Sequence, residues 1–481
     1  MLKQRAFMAV LWSGGDIVVR QGVQLTATLV LARLLLPSDF GVVAMLALFV
    51  GVANVLMDGG FSAALIQHRD IDHVDESTVF WFNLGIGSLL TLTIFVAAPR
   101  IADFYDSPVL TPLARVLSLS CLLASFGAIH STLLTRQLNF RTQAKAGAIA
   151  ALLSGIVAIV MAANGYGVWA LVAQALVMTG VMSALLWILN PWRPMWVFSR
   201  GSLHKLTVFG GFHLASSLLE MVYSKLYTLV VGRMYGAREL GFYATADNIR
   251  QIPGNVLGGL IARVALPMFS EVAHDPILLR RGIQLSIRGM MVVHAPIMLG
   301  MAALAEPIVE VLFGTQWMQT APVLRVLCLA GLLYPIHAIN LHALMAQGHA
   351  RVMFRLELLK KGIGITLLLM GAWYGVMGVA WSQVVFSAAV LAVNTHFTKR
   401  WLDYGGWAQL RDAGSSILAA SIVASLAYLA CEHWGASAFV KVLGLGAAGA
   451  LGYLSILVST RSHAMRDIME LMSRTRNRKS S

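Results

Sequence analysis

Long apolar runs separated by short polar connections occupy almost the whole chain. Because about 20 mostly apolar residues suffice to cross a bilayer as a helix, this pattern predicts an all-α polytopic membrane protein. The alternating strands of about ten residues that are typical of a membrane barrel are absent from the sequence. We predict about fourteen transmembrane helices, at 7–31, 41–66, 79–98, 110–134, 143–163, 166–190, 204–231, 241–266, 283–305, 320–346, 358–375, 377–398, 413–431 and 437–459.

Polar residues recur at helical spacing inside four of these apolar segments, so that each set lies on one helix face. The five polar positions of the first helix return in the seventh with 200 added to every number. The second and eighth helices carry smaller polar groups. The residues are Ser13, Asp16, Arg20, Gln24 and Thr28; His213, Ser216, Glu220, Ser224 and Thr228, with Lys225; Asn54 and Asp58; and Asp247, Arg250, Gln251 and Asn255.

The charged members of these stripes need either an opposite charge or water, because a charge at the bilayer centre costs about 2.5–3.5 kcal/mol. One interpretation is that Asp16 pairs with Arg20, and Asp247 with Arg250, without further function. The other, which we favour, is a hydrated cavity, because intramembrane charges are functional by default. The two interpretations are compatible.

An internal repeat relates the two halves of the chain. The stretch LVLARLLLPSDFGVVA at Leu29–Ala44 returns as LVVGRMYGARELGFYA at Leu229–Ala244, and Thr111–Ile129 returns as Ala321–Ile339. Two such parallel copies predict a pseudo-two-fold axis along the membrane normal. The predicted parts are a six-helix lobe at 1–200, a second six-helix lobe at 201–400, two additional helices at 401–460 and a basic tail at 461–481.

Each copy of the first repeated stretch keeps an arginine, an acid and a glycine at the same spacing. We expect a local charge pair that holds the turn and a glycine that lets the next helix begin tightly, since ion pairs near helix ends usually orient helices. These residues are Arg33, Asp39 and Gly41 in the first copy, and Arg233, Glu239 and Gly241 in the second.

Charge distribution predicts the orientation of the chain. The net charge is +14, and most of the 36 Lys and Arg residues lie at the N-terminus, in the even-numbered connections and in the tail. By the positive-inside rule both termini face the cytoplasm, and the protein lies in the cytoplasmic (inner) membrane. The distribution follows membrane topology, so we expect membrane lipids rather than nucleic acid as partners, with the tail touching anionic lipid.

Composition and motifs argue against an enzyme. Only 12% of residues are charged, against about 25% in soluble domains. The sequence shows no phosphate-binding glycine loop, no His-Glu-x-x-His and no nucleophile–base pair. Its three cysteines, Cys121, Cys328 and Cys431, sit in apolar segments and indicate packing. We expect no catalytic residue, no metal and no cofactor.

Several short motifs carry a resemblance that covers the whole chain. They are the hairpin LWSGGDIVVRQGVQL to LARLLLPSDFGVVA, the stretch VANVLMDGGFSAALIQ that closes the second helix, and EPIVEVLFGTQW before the tenth. With the six-plus-six-plus-two plan, they resemble the Wzx-type polysaccharide flippase family, in the MOP superfamily that also holds MATE exporters and the lipid II flippase MurJ. The sequence is most similar to the WzxC-type branch, which serves exopolysaccharide or lipopolysaccharide biosynthesis.

The resemblance implies a function and roles for the striped residues. Such proteins carry undecaprenyl-pyrophosphate-linked oligosaccharide repeat units to the outer leaflet by alternating access, and their first, second, seventh and eighth helices line the cavity. By this implication the substrate meets Arg20, Gln24, Lys225, Arg250 and Asn255, and a coupling ion or counter-charge role falls to Asp16, Asp58, Glu220 and Asp247.

One departure concerns charge, because a flippase for an anionic lipid is expected to have a cationic lumen. The deep charges here are three cations and four anions, and Arg263 and Arg288 nearer the cytoplasmic face bring the balance to one positive charge. The pyrophosphate role is therefore best supported for Arg20.

Other functions remain open at this point. A MurJ-like lipid II flippase has the same architecture, a MATE-like ion-coupled exporter of small molecules would have twelve helices, and a scaffold would need no hydrated cavity. A polysaccharide polymerase and a chain-length regulator are the partners that the resemblance implies.

Overall fold

The computed structural model describes residues 20–68, 70–348 and 350–460. This part of the chain is helical and contains no β-strand. Asp16, the first half of the first predicted helix and the basic tail at 461–481 lie outside the described residues. The prediction of an all-helical membrane protein is confirmed.

The helices are numbered here in chain order, and a 3-10 turn at Thr315–Trp317 precedes α12. They are α1 (described over 20–34), α2 Pro37–Asp58, α3 Phe61–Gln67, α4 His73–Phe104, α5 Leu110–Arg136, α6 Phe140–Ala163, α7 Trp169–Leu189, α8 200–235, α9 237–271, α10 Pro276–Ala303, α11 Ala305–Phe313, α12 Thr320–Gly331, α13 Tyr334–Ala346, α14 Ala350–Ala372, α15 Gly375–Leu402, α16 Gly406–His433 and α17 Ala438–Ser459.

Eleven helical stretches among the described residues are long and apolar enough to cross a membrane. One of them, His213–Gly259, runs through the break between α8 and α9. The helix α14 is not among these eleven stretches, because its first half is charged. It overlaps the span that the sequence predicts at 358–375. The total of fourteen crossings stays a prediction.

Glycine breaks the helices at two places. Gly59 and Gly60 both have left-handed backbone (φ 58° and 77°) and split the second predicted span into α2 and α3. Gly236, with φ 81° and extended ψ, separates α8 from α9. Such φ values strain residues that carry a Cβ, so glycine is required there. By contrast, the chain stays helical through Pro253, where the sequence invites a kink.

The chain divides into two compact units between Gly241 and Phe242. In the first unit, α8 packs on the core of α3, α4 and α5 through Leu206, which is fully buried beside Phe61 and Leu133. In the second unit, α16 and α17 share one core with α9, α10, α13 and α15. These units differ from the predicted lobes at 1–200 and 201–400, which describe the sequence repeat and stay a prediction.

The two repeated hairpins contact each other reciprocally within the first unit. A Cβ added to Gly41 would collide with the carbonyl oxygen of Ala237, and one added to Gly241 would collide with the carbonyl oxygen of Pro37. The repeated glycine is therefore required because two helix starts cross with their backbones in contact.

The repeated charges act differently in the two copies. Asp39 caps the start of α2 by accepting a hydrogen bond from the backbone N–H of Leu36 (3.0 Å). Arg233 forms an ion pair with Asp106, in the connection between α4 and α5, rather than the local pair with Glu239 that we expected. The second arginine thus ties its hairpin to another element.

The close backbone contact at Gly41 and Gly241 leads to a prediction about stability. We expect Gly41→Ala to lower the stability of the folded protein by roughly 1–3 kcal/mol, because the added methyl forces the two backbones apart. Gly254→Ala is the control, since its Cβ would meet nothing within 4 Å and alanine favours a helix. Thermal denaturation of the two purified variants in detergent measures the difference. Equal melting temperatures would show that the crossing is loose.

Candidate functional site

The stripe on α1 is accessible over its described part. Arg20 is half-buried and Gln24 is exposed. Thr28 directs its hydroxyl back to the Gln24 carbonyl (2.8 Å), so that hydroxyl supports the helix itself. No ion pair to Arg20 occurs within the described residues, and the expected partner Asp16 lies outside them.

Asp58 lies at the break between α2 and α3. It accepts a hydrogen bond from the Ser62 hydroxyl, whose oxygen lies 2.8 Å from that of Thr132 on α5. The break itself packs on the backbone of α8, because a Cβ on Gly60 would collide with the Gly210 carbonyl oxygen. Asp58 is thus half-buried and held by the Ser62 hydroxyl, with no ion pair to it in the described ranges.

The polar side chains on α8 are mostly exposed. His213, Ser216, Glu220 and Ser224 are exposed, and Lys225 is half-buried. Since the bilayer is a costly environment for these groups, this accessible face needs water or a polar ligand.

On α9 the predicted pair between Asp247 and Arg250 is present. Arg250 donates through Nη2 and Nε to Asp247 Oδ1 (2.5 and 3.1 Å), and Gln251 donates to Oδ2 (2.6 Å). The Arg250 stem packs on Gly331 of α12, where an added Cβ would meet it at 3.6 Å. Asn255 is exposed two turns beyond Asp247. Arg250 is therefore a neutralised cation that keeps access to the surface.

A second ion pair, between two helices, was not expected from the sequence. Arg288 of α10 donates to Asp412 Oδ1 of α16 through Nη2 (2.6 Å) and Nε (3.1 Å), and the two side chains are only 18% and 12% exposed. Tyr404 donates to the other carboxylate oxygen (2.6 Å). Burial, together with that hydrogen bond, raises the pKa of Tyr404 well above its usual range, so the phenol stays protonated.

Two further polar pairs occur in the second unit, one between helices and one within a helix. Asn340 of α13 and Gln409 of α16 are fully buried and exchange amide hydrogen bonds of 2.7 and 3.0 Å. Lys360 of α14 is buried and pairs with Glu357. The i,i+3 spacing of Glu357 and Lys360 was a usable sequence signal, but the partners of Gln409 and Asp412 lie far away along the chain.

The described side chains bring no three His, Cys, Asp or Glu residues together in a group that could hold a metal ion. What they provide is a set of polar and charged groups on accessible faces of apolar helices. In a membrane protein, polar and charged side chains on accessible helix faces are candidates for contact with a polar ligand.

Comparison with known proteins establishes the family. Residues 30–322 match the family model described as polysaccharide biosynthesis protein. The match covers more than half of the chain, and the chain belongs to this family.

The individual relatives agree with this family. The chain is 29% identical over 457 residues to the succinoglycan biosynthesis transport protein ExoT of Rhizobium meliloti, which covers 94% of this chain and 92% of ExoT. It is 28% identical over 378 residues to the lipopolysaccharide biosynthesis protein WzxC of Escherichia coli, covering 77% and 76% of the two chains.

The fold matches solved membrane transporters. The lipid II flippase MurJ, in an inward closed conformation, superposes with a TM-score of 0.73 at 17% identity, covering 94% of this chain and 99% of MurJ. An inward-facing multidrug resistance MATE transporter of the MOP superfamily gives 0.60 at 16% identity, with coverage of 84% and 98%. The expected MurJ/MATE-like fold is confirmed, and the protein is a multi-pass protein of the cytoplasmic membrane.

The ion pair between Arg288 and Asp412 leads to a prediction about stability. We expect Asp412→Asn to lower stability by about 3 kcal/mol, because it leaves the Arg288 charge buried without compensation. The double variant R288Q/D412N should recover most of the loss. Glu306→Gln, in the exposed pair with Arg325, is the control and should cost less than about 1 kcal/mol. Thermal denaturation in detergent measures all three; a double variant as unstable as Asp412→Asn would refute the charge argument.

Proposed function

We propose that this protein moves undecaprenyl-pyrophosphate-linked oligosaccharide repeat units across the cytoplasmic membrane by alternating access, for exopolysaccharide or lipopolysaccharide biosynthesis. The proposal rests on the agreement between the family match and the fold match. The family is one of polysaccharide biosynthesis, and the fold is that of a lipid flippase over 94% of the chain. A transporter with this role catalyses no covalent step, so the proposal includes no enzymatic activity.

The proposed topology has fourteen membrane helices, in two parallel six-helix repeats followed by α16 and α17, with both termini in the cytoplasm. The reciprocal glycine contact supports the repeat. Where a two-fold relates two surfaces, residue i of one contacts residue j of the other and the reverse. Gly41 on Ala237 and Gly241 on Pro37 follow this rule with an offset of 200 residues.

In this proposal the polar stripes of α1, α2, α8 and α9 form the substrate path. The ion pairs narrow the choice of pyrophosphate-binding cations. Arg250 is neutralised by Asp247 and Arg288 by Asp412, whereas Arg20 and Lys225 have no ion pair within the described residues. We therefore assign the pyrophosphate contact to Arg20 and Lys225, whose charges can form charge-assisted hydrogen bonds to an anionic ligand, with Gln24 and Asn255 as exposed hydrogen-bonding groups.

The carboxylates remain candidates for ion coupling or for counter-charges. Asp58 accepts a hydrogen bond from Ser62, whose hydroxyl also contacts Thr132, which is compatible with a small cation or a proton, and Asp247 is bound to Arg250. Glu220 is exposed on α8, and Asp16 remains a candidate from its sequence position. We further propose that the protein works beside a polysaccharide polymerase and a chain-length regulator.

Deletion of the gene tests the proposed substrate. We expect an undecaprenyl-pyrophosphate oligosaccharide to accumulate, as measured by mass spectrometry of extracted lipids, together with loss of surface polysaccharide. Complementation with the wild-type gene is the control. Accumulation of lipid II with lysis would instead assign the protein to peptidoglycan export. Sensitivity to cationic dyes without a lipid intermediate would assign it to small-molecule export.

Complementation with variants tests the proposed path. We expect Arg20→Ala to reduce surface polysaccharide at least about tenfold, because it removes a charge-assisted bond to the pyrophosphate. Arg20→Lys should retain part of the activity. Arg100→Ala, at an exposed arginine outside the stripes, is the control, with membrane abundance checked for every variant. Full export by Arg20→Ala would remove this residue from the path.

A further inference from the structure

The second unit contains a cavity of about 760 Å³ at the beginning of α10 and the end of α15. This volume lies within the range of small-molecule sites, which is about 300–1,000 Å³. Its polar lining is dominated by arginine, and its apolar lining includes Ile277, Leu285 and Trp401. The arginines are Arg280, Arg281, Arg288 and Arg400.

The charges of this cavity are only partly balanced. Arg288 is bound by Asp412, whose side chain is only 12% exposed. Arg280 lies 3.7 Å from Asp403, whose side chain is 92% exposed, and over the Tyr404 ring. An exposed pair of this kind is weak. Arg281 and Arg400 are exposed and have no ion pair among the described residues.

One arginine of the cavity is held in place by side-chain contacts. Asp412 of α16 accepts hydrogen bonds from Arg288 on α10 and from Tyr404 in the connection between α15 and α16, so three parts of the chain are joined beside the cavity lining. Guanidinium groups match the geometry of phosphate oxygens, which they bind in bidentate fashion.

The position of the cavity favours a lipid headgroup over free phosphate as its ligand. Pro276 begins one candidate membrane span and Leu402 ends another, so the cavity lies at the ends of two candidate spans. Ile277, at its rim, is 79% exposed, and Trp401 is a residue type enriched at membrane interfaces. Apolar groups beside arginines at this depth fit a ligand with a phosphate headgroup and an acyl or prenyl chain.

We propose that this cavity binds the phosphate headgroup of an anionic lipid, with Arg281 and Arg400 as the principal ligands and Arg280 in support. The cavity shares no residue with the polar stripes. The inference does not depend on the proposed transport function, because an ordinary phospholipid and a polyprenyl phosphate share the headgroup chemistry.

Lipid binding to the purified full-length protein tests the inference. Native mass spectrometry is used to titrate phosphatidylglycerol, undecaprenyl phosphate and phosphatidylcholine separately. For the variant R281Q/R400Q we expect the dissociation constants of the two anionic lipids to rise about tenfold or more, since each lost bond is charge-assisted. The variant R200Q/R411Q removes the same charge at exposed arginines outside the cavity and should bind like the wild type.

The results of these titrations distinguish the possible ligands. A preference for undecaprenyl phosphate over phosphatidylglycerol would identify a substrate-recruiting site, and equal affinity a site for bulk anionic lipid; both support the inference. Equal effects of the two double variants would overturn it, because they would show a general charge effect. Inorganic phosphate that displaces the lipids at a similar concentration would overturn the assignment to a lipid.

Discussion

The cost of ionised groups in hydrocarbon governs this structure more than any single contact. Apolar helices supply no partner for a carboxylate or a guanidinium, so each must find an opposite charge, a hydroxyl or a polar surface. All three solutions occur. Arg288 and Asp412 pair with each other and are largely shielded, Asp58 is held by the Ser62 hydroxyl, and Glu220 lies on an exposed helix face.

These arrangements distinguish charged residues that stabilise the fold from those that we propose bind a ligand. The pair of Arg288 and Asp412, with Tyr404 as a further donor, joins α10 to α16 and makes the two C-terminal helices part of the second unit's core. A pair with such partners has little charge left for a ligand. Arg20 and Lys225 have no comparable counter-ion in the described part of the chain, and this difference directs the proposed function to them.

Close backbone contact is the second constraint. Helices that are apolar on all sides gain little from hydrophobic burial against each other in a bilayer, so packing depends on small residues at the crossing. Gly41 and Gly241 provide this at the two hairpins, and Gly60 provides it where α3 approaches α8.

The sequence by itself determined the helical class, the position of most helices and the polar stripes, because hydropathy and the helical period are local properties of the chain. It also determined the pair of Asp247 and Arg250, which lie one turn apart. Only the tertiary structure decided that Arg233 pairs with Asp106, that Arg288 pairs with Asp412, and that four arginines surround one cavity. These partners are separated by more than a hundred residues, or lie on different helices, and their meeting depends on how whole helices pack.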